Sequence, residues 1–244
     1  MKTPTRSLAF LSLGLLLAAS PAAAVTLDFE EFSHGDRVTS SHGVIITTTN
    51  DGGGPDIGVA FDTDETGTAD PDLQFNSPGI SGGESGWTMG NLAPDTRLGN
   101  TLIIQEHSYS CGASSCTNPD DEGTRPAGSF ELDYSGLGTF IDFEMDLVDV
   151  ESVTAEPGSV VFYLGAVQVA SRGFMDFLGD PTVVYGNNSA NHVDVLSGVE
   201  FDRVVINMGG SGAVDNITAS PVPEPSAALL FAVGALILRR ASRR

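Results

Sequence analysis

From Phe140 to Leu147 apolar and acidic side chains alternate almost residue by residue, as F-I-D-F-E-M-D-L, which is the period of a strand with one buried face. The same period runs through Val25 to Phe29, where Val25, Leu27 and Phe29 alternate with Thr26, Asp28 and Glu30. No segment of helical length between Val25 and Ser220 carries apolar residues at three-and-four spacing, and 27 of the 29 glycines punctuate this stretch between short Val, Ile and Phe runs. The region is therefore predicted to be all-β. Its 196 residues fit one sandwich or jelly roll better than two domains.

Further strands are predicted over 43–48, 59–61, 101–106, 129–134, 160–164, 166–170, 183–185, 192–196 and 203–208. At Leu147-Val148 the alternation slips, as a bulge would produce, so that Val148 and Val150 would continue the apolar face against Asp149 and Glu151. Residues 50–55 and 76–86 read as mobile glycine-rich loops.

Charge narrows the function. Between Val25 and Ser220, 31 carboxylates face five arginines and no lysine, a net charge of −26. Nucleic acid needs a basic surface and is not an expected partner. Such a charge pushes a compact state apart unless cations screen or bind it, and a divalent metal is the expected counter-ion.

The two ends differ from the middle. Lys2 and Arg6 precede an apolar run from Leu8 to Ala19 and a small-residue exit at Ala22, Ala23 and Ala24, the pattern of a secretory signal peptide over 1–24, with cleavage expected after Ala24. The 12-residue run is short of the roughly 20 that a spanning helix needs. At the other end, residues 221–244 hold Pro223, Glu224 and Pro225, then apolar residues from Ala227 to Leu238, then Arg239, Arg240, Arg243 and Arg244. The arginines favour the cytoplasmic side, which leaves the acidic domain, 25–220, outside.

Pro-Glu-Pro, a short transmembrane helix and an arginine cluster in that order resemble the PEP-CTERM sorting signal. The resemblance implies an exosortase, a membrane-embedded cysteine protease, as partner alongside the secretion machinery. It implies a brief stay in the inner membrane, then delivery to the cell surface or extracellular matrix. The middle region resembles jelly-roll domains common in PEP-CTERM proteins, through its acidic 61–73 loop, a T-L-I-I-x-E strand, a P-D-D loop, an F-x-M-D-L-V-D-V-E strand and a final G-S-G-A-V-D-N-I. In calcium-bearing jelly rolls of carbohydrate-binding modules, an acidic residue of the first strand and an aspartate near the last share an ion. Glu30 or Asp28 and Asp215 occupy comparable places here.

The residues themselves point to calcium in one further way. Asp62, Asp64, Asp70 and Asp72, with Glu65 and Gly67, crowd one loop, and calcium takes six to eight oxygens. The loop opens like an EF-hand, yet Leu73 stands where the bidentate glutamate belongs. Asp120 and Asp121 form a second acidic loop that reads equally well as turn chemistry. Asp28, Glu30, Asp142, Glu144 and Asp146 otherwise read as a solvated sheet face. Cys111 and Cys116 are predicted to form a local disulfide in an exported chain, since a lone C-x4-C pair makes a poor zinc site.

Catalysis finds no support. His34, His42, His107 and His192 are scattered, no G-x-S-x-G or H-E-x-x-H is present, and no pair of carboxylates stands out as acid and nucleophile. The expectation is a non-enzymatic, calcium-stabilised surface or matrix protein that contacts extracellular polysaccharide. The alternatives are a calcium-dependent carbohydrate-binding module, with Trp87 as a stacking platform if exposed, and an extracellular hydrolase.

Overall fold

The computed structural model describes residues 23–75 and 86–222. The segments predicted as a signal peptide, 1–24, and as a sorting tail, 221–244, lie outside the described residues apart from 23–24 and 221–222, as does most of the 76–86 loop. No helix among the described residues is long and apolar enough to cross a membrane.

The described residues form twelve strands: β1 (Val25–Leu27), β2 (Ser40–Ser41), β3 (Val44–Asn50), β4 (Gly58–Asp62), β5 (Asn100–Ile104), β6 (Gly128–Asp133), β7 (Phe140–Val148), β8 (Ser159–Leu164), β9 (Val167–Gly173), β10 (Ala190–Leu196), β11 (Arg203–Met208) and β12 (Ala213–Pro221). They build two six-stranded sheets in which every strand pairing is antiparallel. The first runs β10-β7-β12-β5-β4, with β1 against β12; the second runs β2-β3-β6-β11-β8-β9. The architecture is an all-β sandwich.

Alternation places one face of each sheet in a shared core. Met145, Leu147, Val193, Val195, Val214 and Ile217 of the first sheet meet Phe130, Leu132, Phe162, Val204 and Ile206 of the second. Each buried aliphatic or aromatic side chain contributes about 1.5–3 kcal/mol, which makes this interface the main source of stability.

The first sheet has a second roof. Long connections between β4 and β5 and between β5 and β6 carry Leu73, Phe75, Trp87, Leu98 and Cys116 onto its outer face, against Val59, Phe61, Ile103 and Val148. This explains the anomaly at Leu147-Val148. There is no bulge there: Leu147 faces the main core, Val148 faces the roof, and Asp149 is fully buried instead of solvated. The irregularities lie on the partners of β7, between Asp194 and Leu196, between Asp215 and Thr218 and between Ser220 and Pro221.

Trp87 is corrected likewise. It is 4 % exposed, its indole N–H donates to the Thr96 carbonyl at 2.9 Å, and its ring meets Phe75 edge-on at 5.7 Å. A ring buried on both sides offers no platform to a sugar; it anchors the roof. Acrylamide should quench the fluorescence of this sole tryptophan weakly in the native chain and strongly after unfolding, and strong native quenching would contradict the packing.

Residues 183–185 do not form a strand. The Val184 N–H and carbonyl instead bond the Asn191 side chain, both at 3.0 Å, so a side chain satisfies the backbone in place of a ladder. The 50–55 loop is tied, not free: Asn50 Oδ1 accepts from the N–H groups of Gly52 and Gly54, and Asn50 Nδ2 donates to the Gln105 carbonyl and to Glu122.

Candidate metal centre

Five separate segments converge at one end of the first sheet. The β4–β5 connection brings Asp70 and Asp72, the β5–β6 connection brings Asp121, and the chain leaving β7 brings Asp149. Asn188 arrives just before β10, and Ser211 and Gly212 come from the turn before β12. Ser211 Oγ donates to Asp121 Oδ2 at 2.8 Å and lies 3.5 Å from Asp149 Oδ2, so two carboxylates meet at one hydroxyl. Gly212 N–H also donates to Asp121 Oδ2. Gly212 has φ +136°, and a Cβ there would stand 2.8 Å from the Val148 carbonyl oxygen, so glycine is what lets this turn approach.

Asp149 and Asn188 both hold left-handed backbone, φ 55° and 56°, which non-glycine residues adopt rarely and at some cost. Asn188 N–H donates to Asp149 Oδ1, and its side-chain amide donates to the carbonyls of Asp72 at 2.8 Å and Gln74 at 3.0 Å. Asn188 thus links Asp149, through its backbone N–H, to Asp72, through its side-chain amide, and its buried Oδ1 has no hydrogen-bond partner.

The electrostatics are unfavourable as they stand. Asp70 is 4 % exposed, Asp121 8 % and Asp149 0 %. Burial pushes Asp70 far above the usual carboxylate range, with the charges of Asp121 and Asp72 adding to it. Asp121 is also raised by burial, in part offset by hydrogen bonds from Asp70, Gly212 and Ser211. Burial, then the charge of Asp72, pushes Asp149 up to about 9. Ion pairs among the described residues join Arg97 to Asp64, Arg125 to Glu151 and Glu156, and Arg203 to Glu131; no arginine pairs with this centre. Carboxylates taken out of water are paired, protonated or bound to metal, and the donors gathered here are all oxygens, with the unpartnered amide oxygen of Asn188 beside them.

The other sequence-flagged residues divide. Asp62 caps its own turn by accepting from the Asp64 N–H at 2.9 Å, and Asp64 pairs with Arg97, whereas Asp70 turns inward to Asp121. Asp120 parts from Asp121 because neighbours in extended chain point to opposite faces, and Gln105 and Asp121 form a β-bridge there. Asp120 instead joins Glu106 and His107, their ligand atoms within 4.8 Å of one another. Glu30 accepts from the Asn100 N–H at 2.8 Å, under Gly99, where φ is +64° and a Cβ would strike the Glu30 carboxylate. Asp215 is fully buried with Oδ1 unpartnered; burial, then Asp146, Glu30 and Asp28, raises it well above the ordinary range. Asp146, expected on a solvated face, is 4 % exposed, its carboxylate held between the His192 imidazole and the Asn216 amide of the neighbouring strands. Cys111 and Cys116 are joined as a disulfide.

Asp149 and Asn188 were not legible as site residues. Their only signal is local: an aspartate between two valines, and an asparagine in a G-N-N-S turn.

Fold and centre together define the class: an acidic, wholly antiparallel β-sandwich with a buried oxygen-donor cluster at one end. No protein-family model, no curated protein and no solved structure matches the chain.

Proposed function

We propose that this chain is an exported, non-catalytic surface or extracellular-matrix protein whose jelly-roll-like sandwich is stabilised by calcium held by Asp70, Asp72, Asp121 and Asp149. The observation that carries this reading is the burial of Asp70, Asp121 and Asp149 beside the half-buried Asp72, with no ion pair to an arginine among the described residues. Calcium bound there would tie the loop ends of the sandwich to one point, a structural service and not a chemical one. Export is supported by the leader and by the PEP-CTERM-like tail, with Pro223, Glu224, Pro225 and the four terminal arginines as the elements that an exosortase would read. The repeated passage of the chain between the two sheets supports the jelly-roll-like description. Extracellular polysaccharide is the proposed surrounding ligand, and the carbohydrate-module alternative loses its aromatic platform with Trp87 buried.

Calorimetric titration of calcium into chelator-treated exported protein tests the metal. One binding event is expected, weakened at least tenfold by Asp121→Asn; the absence of any heat or change in melting would remove calcium from the account. Replacing Glu224 and the terminal arginines tests sorting, and unchanged processing and surface delivery would defeat it.

A further inference from the structure

The pairing of β10 with β7 sets His192 opposite Asp146 and Asp194 opposite Glu144. Because Val193, Val195, Met145 and Leu147 between them face the core, these four polar side chains stand together on the outer face, in neighbouring rungs of rigid strands. Asp194 facing Glu144 is a like-charge cross-strand pair, a destabilising arrangement. Arg172 lines the adjoining cavity of about 400 Å³ with His192 and Asp194, but no arginine among the described residues forms an ion pair with Glu144 or Asp194.

His192 is held in one orientation. Its Nδ1 bonds Asp146 Oδ1 at 2.7 Å, and the other oxygen of that carboxylate accepts from Asn216 Nδ2 at 2.9 Å. Nε2 then lies 3.8 Å from Glu144 Oε2 and 3.9 Å from Asp194 Oδ1, too far for hydrogen bonds. The three ligand atoms nevertheless all lie within 4.8 Å of one another. An ion about 2.0–2.2 Å from each would draw them to roughly 3.4 Å apart, a closure of about half an ångström from His192 Nε2 to each carboxylate and of no more than about 1.4 Å between the half-buried Glu144 and the exposed Asp194.

We propose that His192 Nε2, Glu144 and Asp194 form a binding site for a divalent transition cation of the zinc class, with Asp146 as the positioning residue that orients the imidazole. A carboxylate on the far nitrogen is the usual outer partner of a metal-bound histidine. The nitrogen donor separates this site from the buried centre, whose oxygen-only set suits calcium, while imidazole suits zinc, nickel or copper. Three protein ligands leave at least one position for water beside the cavity. The proposal is independent of calcium binding.

The test is zinc titration of the full exported chain with calcium held in excess. One event with a Kd in the micromolar range or below is expected. It weakens at least tenfold in His192→Ala and in the exposed-site variant Glu144→Gln, and about 10–100-fold in Asp146→Asn. Nitrogen NMR of the parent chain should show the His192 Nε2 resonance moving on zinc addition, a readout that needs no variant to fold. Zinc binding of unchanged affinity in His192→Ala would overturn the proposal and move the ion to His42 with Asp28 and Glu31, or to His107 with Glu106 and Asp120. An unmoved His192 resonance at millimolar zinc would overturn it as well, leaving the imidazolium itself as the cation between the carboxylates.

Discussion

In chelator, Asp149→Asn should melt higher than the parent chain, and in saturating calcium it should melt lower. Asparagine keeps the shape of the side chain and an oxygen to accept the Asn188 N–H, but it carries no proton to gain or charge to bury. Without metal, keeping Asp149 in the folded state at neutral pH costs roughly 4 kcal/mol, because a group shifted up to about 9 must take up a proton that the unfolded chain has released. The variant escapes that cost. With calcium the balance inverts, since a charged ligand is lost. Calcium at about a thousand times its Kd stabilises by about 4 kcal/mol, or about 10 °C in Tm for a chain of this size, and the variant should lose half of that shift or more. Paired scans of both proteins, with calcium and with chelator, read the crossing directly. A variant that melts lower in both conditions would show Asp149 acting only as a hydrogen-bond acceptor.

The second large effect is in pH. With chelator present, stability should fall as pH rises from about 4 toward 9. The sign follows from the direction of the shifts: Asp149 is raised from 3.8 to about 9, and Asp70 and Asp215 are raised too, so the folded chain binds protons that the unfolded chain gives up. Their contribution is complete below the unfolded value and disappears as pH climbs through the folded one. Each such proton changes stability by about 1.4 kcal/mol per pH unit, so Tm at pH 5 should exceed Tm at pH 8 by 5 °C or more, on the order of a few degrees per kcal/mol. Calcium should flatten or reverse the slope, because coordinating carboxylates are deprotonated. High salt should leave the chelator slope largely in place, since buried charges are poorly screened, and a slope erased by salt would assign it to the exposed surface.

The strands were readable where alternation was clean. The 203–208 segment coincides with β11, and 140–147 lies within β7, because alternate apolar side chains of each point into the shared core. Alternation misled at Val148, where both faces of the sheet are covered, a condition set by connections whose first covering side chain, Leu73, lies 75 residues earlier. It missed β12 altogether, since the run from Ala213 reads as a glycine-led turn until it is seen paired with β1 and β7. Of the buried centre, the sequence flagged Asp70, Asp72 and Asp121 through local crowding of carboxylates. It also grouped them with Asp62, Asp64 and Asp120, which one arginine, one turn and one change of face remove. Asp149 and Asn188 enter through contacts across 39 to 116 residues of chain, which no local pattern encodes.

The seam between β1 and β12 joins Val25 to Ala219 and Leu27 to Ile217, and β12 in turn lies between β7 and β5. The last strand of the described residues is therefore the middle plank of its sheet. A ribosome must release nearly the whole domain before that sheet can close, and contacts so remote in sequence form slowly. A chain built this way remains threadable while it is being synthesised, and clipping it at either terminus would unfasten the same joint.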